Sequence, residues 1–260
     1  NHLEELADEL QRPDDVAALY RQLLERSLPK ALFGSVAERA VQFHEEWFGD
    51  TPDKIGALLS RVIELDPDAD WAFEQLTVML TARSDWDELL ALYDRTLATT
   101  TDGDRRRRLL DDAAQVAKDF AGDSDRAAGY LQQLLVIEPN NLQIVTSLER
   151  ILERQQRYND LIDLWRSRLS QLGAEEARET QMRIASVWLD KLSEPGRALD
   201  MLRDLLSDAP GDANACEQVE RILQLDTAET EIRRGALGLL RKNYVVAERA
   251  ADVVRAVERA

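Results

Sequence analysis

Three prolines, Pro67, Pro139 and Pro210, recur at spacings of 72 and 71 residues, and each closes an apolar stretch. The stretches are alike: "DKIGALLSRVIELDP", "RAAGYLQQLLVIEP" and "GRALDMLRDLLSDAP". Proline has no N–H for the next helical hydrogen bond, so it marks where each helix stops. A unit repeated at this period buries its apolar side only against the next copy, which restricts the chain to a stacked array.

Further columns keep the period. Val16/Leu89/Leu161, Leu19/Leu92/Leu164, Tyr20/Tyr93/Trp165 and Leu24/Leu97/Leu169 lie at offsets that trace one helical face. Ala40/Ala113/Ala185, Phe43/Val116/Trp188, His44/Ala117/Leu189 and Trp47/Phe120/Leu192 trace another, with a small residue where a second helix approaches. Leu76, Leu148 and Val219 align after the prolines, and Leu3 and Leu6 match the end of the same helix type at the chain's start. Four helices per repeat give two helix pairs. The expected helices cover 2–10, 14–27, 31–48, 53–65, 69–82, 86–99, 103–121, 124–137, 141–155, 158–171, 175–192, 195–208, 212–224, 228–241 and 244–258. Turns such as "TDGD", "AGDS", "EPNN" and "APGD" supply capping residues, with Asp123 and Asp212 at helix starts. No strand-like alternation appears. The fold class is all-α, a single solenoid over 1–260 of about 14–15 helices, with residues 226–260 as degenerate capping helices in which Gly235 and Gly238 replace bulkier residues.

The segment "GDSDRAAGYLQQLLVIEPNN" resembles the second half of a tetratricopeptide repeat, through Ala127, Leu131, Leu134 and Pro139. Ala198, Leu202, Leu205 and Pro210 repeat the match. Ile55, Leu59, Val62 and Pro67 repeat it with Ile55 in place of the small residue. The first-helix signature of that family, Trp then Leu-Gly then Tyr, is poorly kept, and half-repeats of the RNA-processing kind and other α-solenoids are close alternatives. The resemblance implies a right-handed superhelix whose concave groove, lined by first helices, binds peptides or partner domains.

Composition narrows the partners. The net charge of −17 repels phosphate backbones and anionic lipid heads, so neither nucleic acid nor a membrane surface is expected. The charge is read first as keeping an extended chain in solution, and alternatively as drawing in a basic partner. One cysteine, Cys216, allows no intramolecular disulfide and no cysteine-built zinc site. No apolar run reaches the ~18 residues of a spanning helix and no signal peptide is evident; the single cysteine fits a reducing compartment, so among locations the cytoplasm is favoured. The first residue is Asn1 and it falls inside an expected helix, which suggests a segment of a longer chain. Arginine over lysine, with heavy use of Ala, Leu and Asp, resembles proteins of high-GC bacteria.

Chemistry-bearing patterns are scarce. No phosphate loop, dinucleotide fingerprint, nucleophile elbow or zinc-protease motif occurs, so no catalytic residue, cofactor or metal site is assigned and no enzyme is expected. Asp66, Asp68 and Asp70 begin like a calcium loop, but Trp71 and Thr77 occupy its turn and bidentate positions. His44 is expected to be a packed, hydrogen-bonded residue. Arg105 to Arg108 are expected to form a solvated first turn beside Asp102, Asp104, Asp111 and Asp112. The Trp86/Tyr93 and Tyr158/Trp165 stripes are expected to be core. A binding face should lie opposite the packing face of the first helices, at Glu38/Asp111/Arg183, Gln42/Gln115/Val187 and Glu45/Lys118/Asp190. The expected function is a scaffold binding a protein or peptide on that face, with a structural spacer or oligomerisation segment as the alternative.

Overall fold

A computed structural model describes residues 4–5, 9, 11–26, 28–49, 52–225 and 228–246. The expected helix at 2–10 falls largely outside them, as does the part of the chain beyond 246. Among the described residues there are thirteen α-helices and no strand. The protein is an all-α solenoid of consecutive helix pairs.

Two compact units divide the chain, 1–148 and 149–260. The first holds α1 (Pro13–Leu24), α2 (Lys30–Phe48), α3 (Pro52–Leu65), α4 (Asp70–Ala82), α5 (Trp86–Thr99), α6 (Gly103–Gln115) and α7 (Ser124–Ile137). It also takes the start of α8 (Leu142–Arg154). The second unit takes the rest of α8, with α9 (Tyr158–Arg168), α10 (Ala174–Asp190), α11 (Pro195–Asp208), α12 (Ala213–Gln224) and α13 (Thr230–Val246).

Helix starts and stops follow local chemistry. Proline opens α1 and α11, where its missing N–H costs nothing. Asp102, Asp123 and Asp212 cap α6, α7 and α12, each side chain accepting from a backbone N–H three residues on. Helices α3, α7 and α11 end two residues before Pro67, Pro139 and Pro210. A further periodic signal lies in the backbone. Gln11, Ser84 and Gln156 all adopt left-handed φ, of 53°, 55° and 57°, in the turns that precede α1, α5 and α9. Gly49, Gly122 and Ser193 do the same before α3, α7 and α11. Four of these six, Gln11, Ser84, Gln156 and Ser193, are not glycine, so the turn imposes the conformation without the residue that usually marks it.

The sequence columns form the core within each unit. Ala40, Ala113 and Ala185 are fully buried, as are Leu59 and Leu202. Leu89, Leu161, Tyr93 and Trp165 are buried too. Phe120 departs from its column: it is 57% exposed and stacks on Trp86, with ring centroids 5.2 Å apart. The cause is a π-helical turn over Val116–Ala121 that follows α6. Its wider winding changes the phase of the last residues, turning Phe120 off the seam.

One C-terminal expectation needs correction. A helix break between 241 and 244 was expected, yet α13 runs unbroken through Asn243. Asn243 is buried; its Oδ1 accepts from Gly211 N at 3.0 Å and its Nδ2 donates to the Leu239 carbonyl at 2.9 Å. It therefore pins the turn after α11. Gly235 is a packing device: a Cβ there would meet Leu199 Cδ2 at 3.3 Å, so the small residue lets α13 approach α11.

Candidate partner-binding surface

The nine groove positions lie on the outward side of α2, of α6 with its π turn, and of α10, and all but the half-buried Val187 are exposed. Their surroundings differ. On α2, Gln42 accepts from Arg39 at 3.4 Å and Glu45 accepts from Gln75 of α4 at 2.8 Å; Glu38 is exposed. On α10, the Arg183 guanidinium lies 4.3 Å over the Trp165 ring and 3.8 Å from Glu149, and Asp190 is bonded to Arg221 at 2.5 Å. Trp165 donates its indole N–H to Glu149 at 2.5 Å, so the α10 face is closed by a local Trp–Arg–Glu cluster.

Helix α6 with its π turn places its three candidates around an open concavity. Asp111, Gln115 and Lys118 line a cleft of about 350 Å³ between α6, α7 and α8. Leu131 and Leu134 of α7 give it apolar lining, and Gln143, Ile144 and Ser147 of α8 form the opposite wall. Arg107 pairs with Glu138 at 3.3 Å and Lys118 with Asp119 at 3.5 Å, while Asp111 has no ion-pair partner among the described residues. The cleft thus keeps a residual negative charge beside apolar and amide surface. Arg107 and the α8 wall were missed from sequence. Arg107 lies four and eight residues before Asp111 and Gln115, so extending the exposed face by one turn would have found it.

The first two arginines of the run are consumed by the fold, while Arg107 and Arg108 are exposed as expected. Arg105 is buried: its guanidinium donates to the Pro67 carbonyl at 2.8 Å and lies within ion-pair distance of Asp68 and Asp70, at 3.4 and 2.8 Å. Arg106 donates to the Leu97 carbonyl at 2.8 Å and to Gln133 at 3.0 Å. The aspartates that opened like a calcium loop therefore face an internal cation, and no cluster of metal-ligating side chains occurs among the described residues.

His44 is packed as expected, its Nδ1 2.8 Å from the Ala40 carbonyl and its ring 5.5 Å from that of Phe48. Tyr93 is buried against Phe73, 5.4 Å between centroids. Burial, reinforced by the nearby Asp112 carboxylate, pushes its hydroxyl up to about 12. Burial likewise raises the Asp112 carboxyl, with Asp111 adding to the rise and Arg108 opposing it. No helix among the described residues is long and apolar enough to cross a membrane.

Stacked helix pairs with one packed face and one polar face define a helical-repeat scaffold of the kind that mediates protein–protein interaction. The tetratricopeptide repeat family model matches residues 72–107, which span α4, α5 and the start of α6, so that stretch is a tetratricopeptide-type repeat. No curated protein sequence matches the chain. Similar solved structures include "Structure of Naa15/Naa10 bound to HypK-THB", at 13% identity and a TM-score of 0.44, covering 96% of this chain and 41% of that one. The chain thus spans less than half the length of that protein. Another is YrrB, described as a TPR protein with an unusual peptide-binding site, at 13% identity and a TM-score of 0.33, covering 70% of this chain and 89% of that one. A third is a tetratricopeptide repeat protein from Parabacteroides merdae ATCC 43184, at 8% identity and a TM-score of 0.33, covering 99% and 96%.

Proposed function

We propose that this protein is a non-catalytic scaffold that holds an extended, basic peptide segment of a partner in the α6–α8 cleft. The observation that carries this reading is the cleft itself, whose Asp111 has no ion-pair partner among the described residues while Leu131 and Leu134 offer apolar contact. The net charge of −17 favours encounter with a cationic segment and disfavours an anionic one.

The test is titration of two peptide sets with equal apolar content, one rich in Lys and Arg, the other in Asp and Glu. Basic peptides bind, Asp111→Lys weakens them by about tenfold, and Lys118→Glu strengthens them. Arg183→Glu leaves them unchanged. Equal binding of both sets, or indifference to Asp111→Lys, removes the proposal. A spacer or self-assembly role is the rival, favoured by the exposed Val136, Ile137 and Leu142 around the α7–α8 turn. A concentration-dependent dimer in light scattering, lost in Val136→Asp, would select it.

A further inference from the structure

A second cleft, of about 300 Å³, lies between α1 and α3 and is floored by His44 and Phe48 of α2. Ala17, Leu24, Ala57 and Leu58 give it apolar walls. Its charged lining is Arg21, Lys54 and Arg61 against Asp14 and Glu25, an excess of cations in a chain of net charge −17. Arg61 is committed to Glu25, at 2.6 and 2.7 Å, and to Glu64 at 2.7 Å. Arg21 has no ion-pair partner among the described residues, nor has Lys54, whose ammonium stands 5.0 Å over the Phe48 ring.

The next repeat shows what this place holds when the chain fills it. The alignment of Val16 with Leu89 puts Arg21 over Asp94, and that of Ile55 with Ala127 puts Leu58 over Tyr130 and Lys54 over Arg126. Tyr130 is buried, and its hydroxyl donates to Asp94 at 2.6 Å. A phenol and its carboxylate acceptor thus occupy the α5–α7 junction. At the α1–α3 junction the phenol is replaced by the shorter Leu58, the acceptor by the cation Arg21, and a cleft is open.

We propose that the α1–α3 cleft binds a small aromatic carboxylate. The ring takes the place that the Tyr130 ring holds one repeat later, stacking on the apolar walls and Phe48. The carboxylate meets the Arg21 guanidinium, with the Lys54 ammonium at the rim; a planar guanidinium matches a carboxylate in a two-bond geometry. The charge reversal from Asp94 to Arg21 selects an anion where the internal phenol presents a donor.

The probes are 3-phenylpropionate and its amide, followed by calorimetry and by the amide shifts of α1 and α3. A peptide ending in phenylalanine with a free carboxylate forms a further arm. The acid binds with Kd on the order of 1 mM, and the amide at least about tenfold more weakly. Arg21→Glu weakens the acid by about tenfold with an unchanged helical circular dichroism spectrum. The double variant Arg21→Asp/Leu58→Tyr copies the next repeat, folds, and binds neither. Tighter binding of the peptide assigns the site to a protein terminus, and tighter binding of the free acid assigns it to a metabolite; either supports the proposal. Acid and amide binding alike, neither binding, or Arg21→Glu binding as the parent does, overturns it. The α6–α8 cleft takes no part in any of these outcomes.

Discussion

Helices α6 and α10 occupy the same place in successive repeats, yet their outward faces have opposite fates. Their inward faces match: Ala113 and Ala185 are both fully buried and let the neighbouring helix approach. Outward, α6 presents Asp111, Gln115 and Lys118 to an open cleft, whereas Arg183 and Asp190 of α10 are bound to Trp165, Glu149 and Arg221. The lesson is that a repeat column fixes where a side chain points, while its neighbours decide whether it is available to a partner. A first-helix face is a binding surface only where the adjoining helices leave it uncommitted.

The comparison breaks most readily at the helix starts. Arg105 anchors α6 to the turn at Pro67 from a buried position, while on α10 Arg178 lies 3.9 Å from Asp212 and is far more exposed. Arg105→Ala therefore costs about 1.5–3 kcal/mol in urea unfolding, and Arg178→Ala stays within about 0.5 kcal/mol. Equal losses would show that both starts are anchored alike. Next come the seams: Ala113→Leu and Ala185→Leu each cost about 1–3 kcal/mol, because extra methylenes enter a filled interface. A neutral Ala113→Leu would mean that α6 is not packed through that column.

A smaller difference appears at alkaline pH. Tyr93, facing Asp112 of α6, has its hydroxyl raised from 10.0 to about 12, so the folded state keeps a proton that the unfolded chain gives up. Stability from this group is whole below pH 10 and falls as pH rises from 10 to 12. Its counterpart beside α10 is Trp165, which does not titrate, so Tyr93→Phe removes this part of the alkaline loss and Trp165→Phe does not. An unchanged alkaline slope in Tyr93→Phe, measured by denaturant midpoint against pH, contradicts the packing. The smallest effect is at the outward positions: Arg183→Ala costs about 0.5–1 kcal/mol through its cation–π contact, and Gln115→Ala stays within about 0.5 kcal/mol.

Helix positions and the buried columns were legible because both follow from a 3.6-residue period repeated at fixed spacing. The π turn after α6 was not, since Val116–Ala121 carries the same apolar spacing as its α-helical counterparts and only its winding differs. Nor was the unbroken α13, whose Asn243 has the composition of a helix end but is used to hold Gly211. The outward residues, Val187 apart, are exposed on their helices. Their availability was hidden because it depends on partners such as Glu149, Gln75 and Arg221 that arrive from other helices. Arg105 and Arg106 departed from the expected solvated turn for the same reason: their carbonyl acceptors at Pro67 and Leu97 are set by packing, not by neighbouring sequence.

The most direct test is amide shift mapping of the labelled protein as a Lys- and Arg-rich peptide is added. Perturbations confined to Arg107–Asp119, Leu131–Glu138 and Asn141–Ser147, with α10 silent, are expected. Perturbations centred on Arg183–Asp190, or none along α6, would contradict the division between an open and a committed helix face.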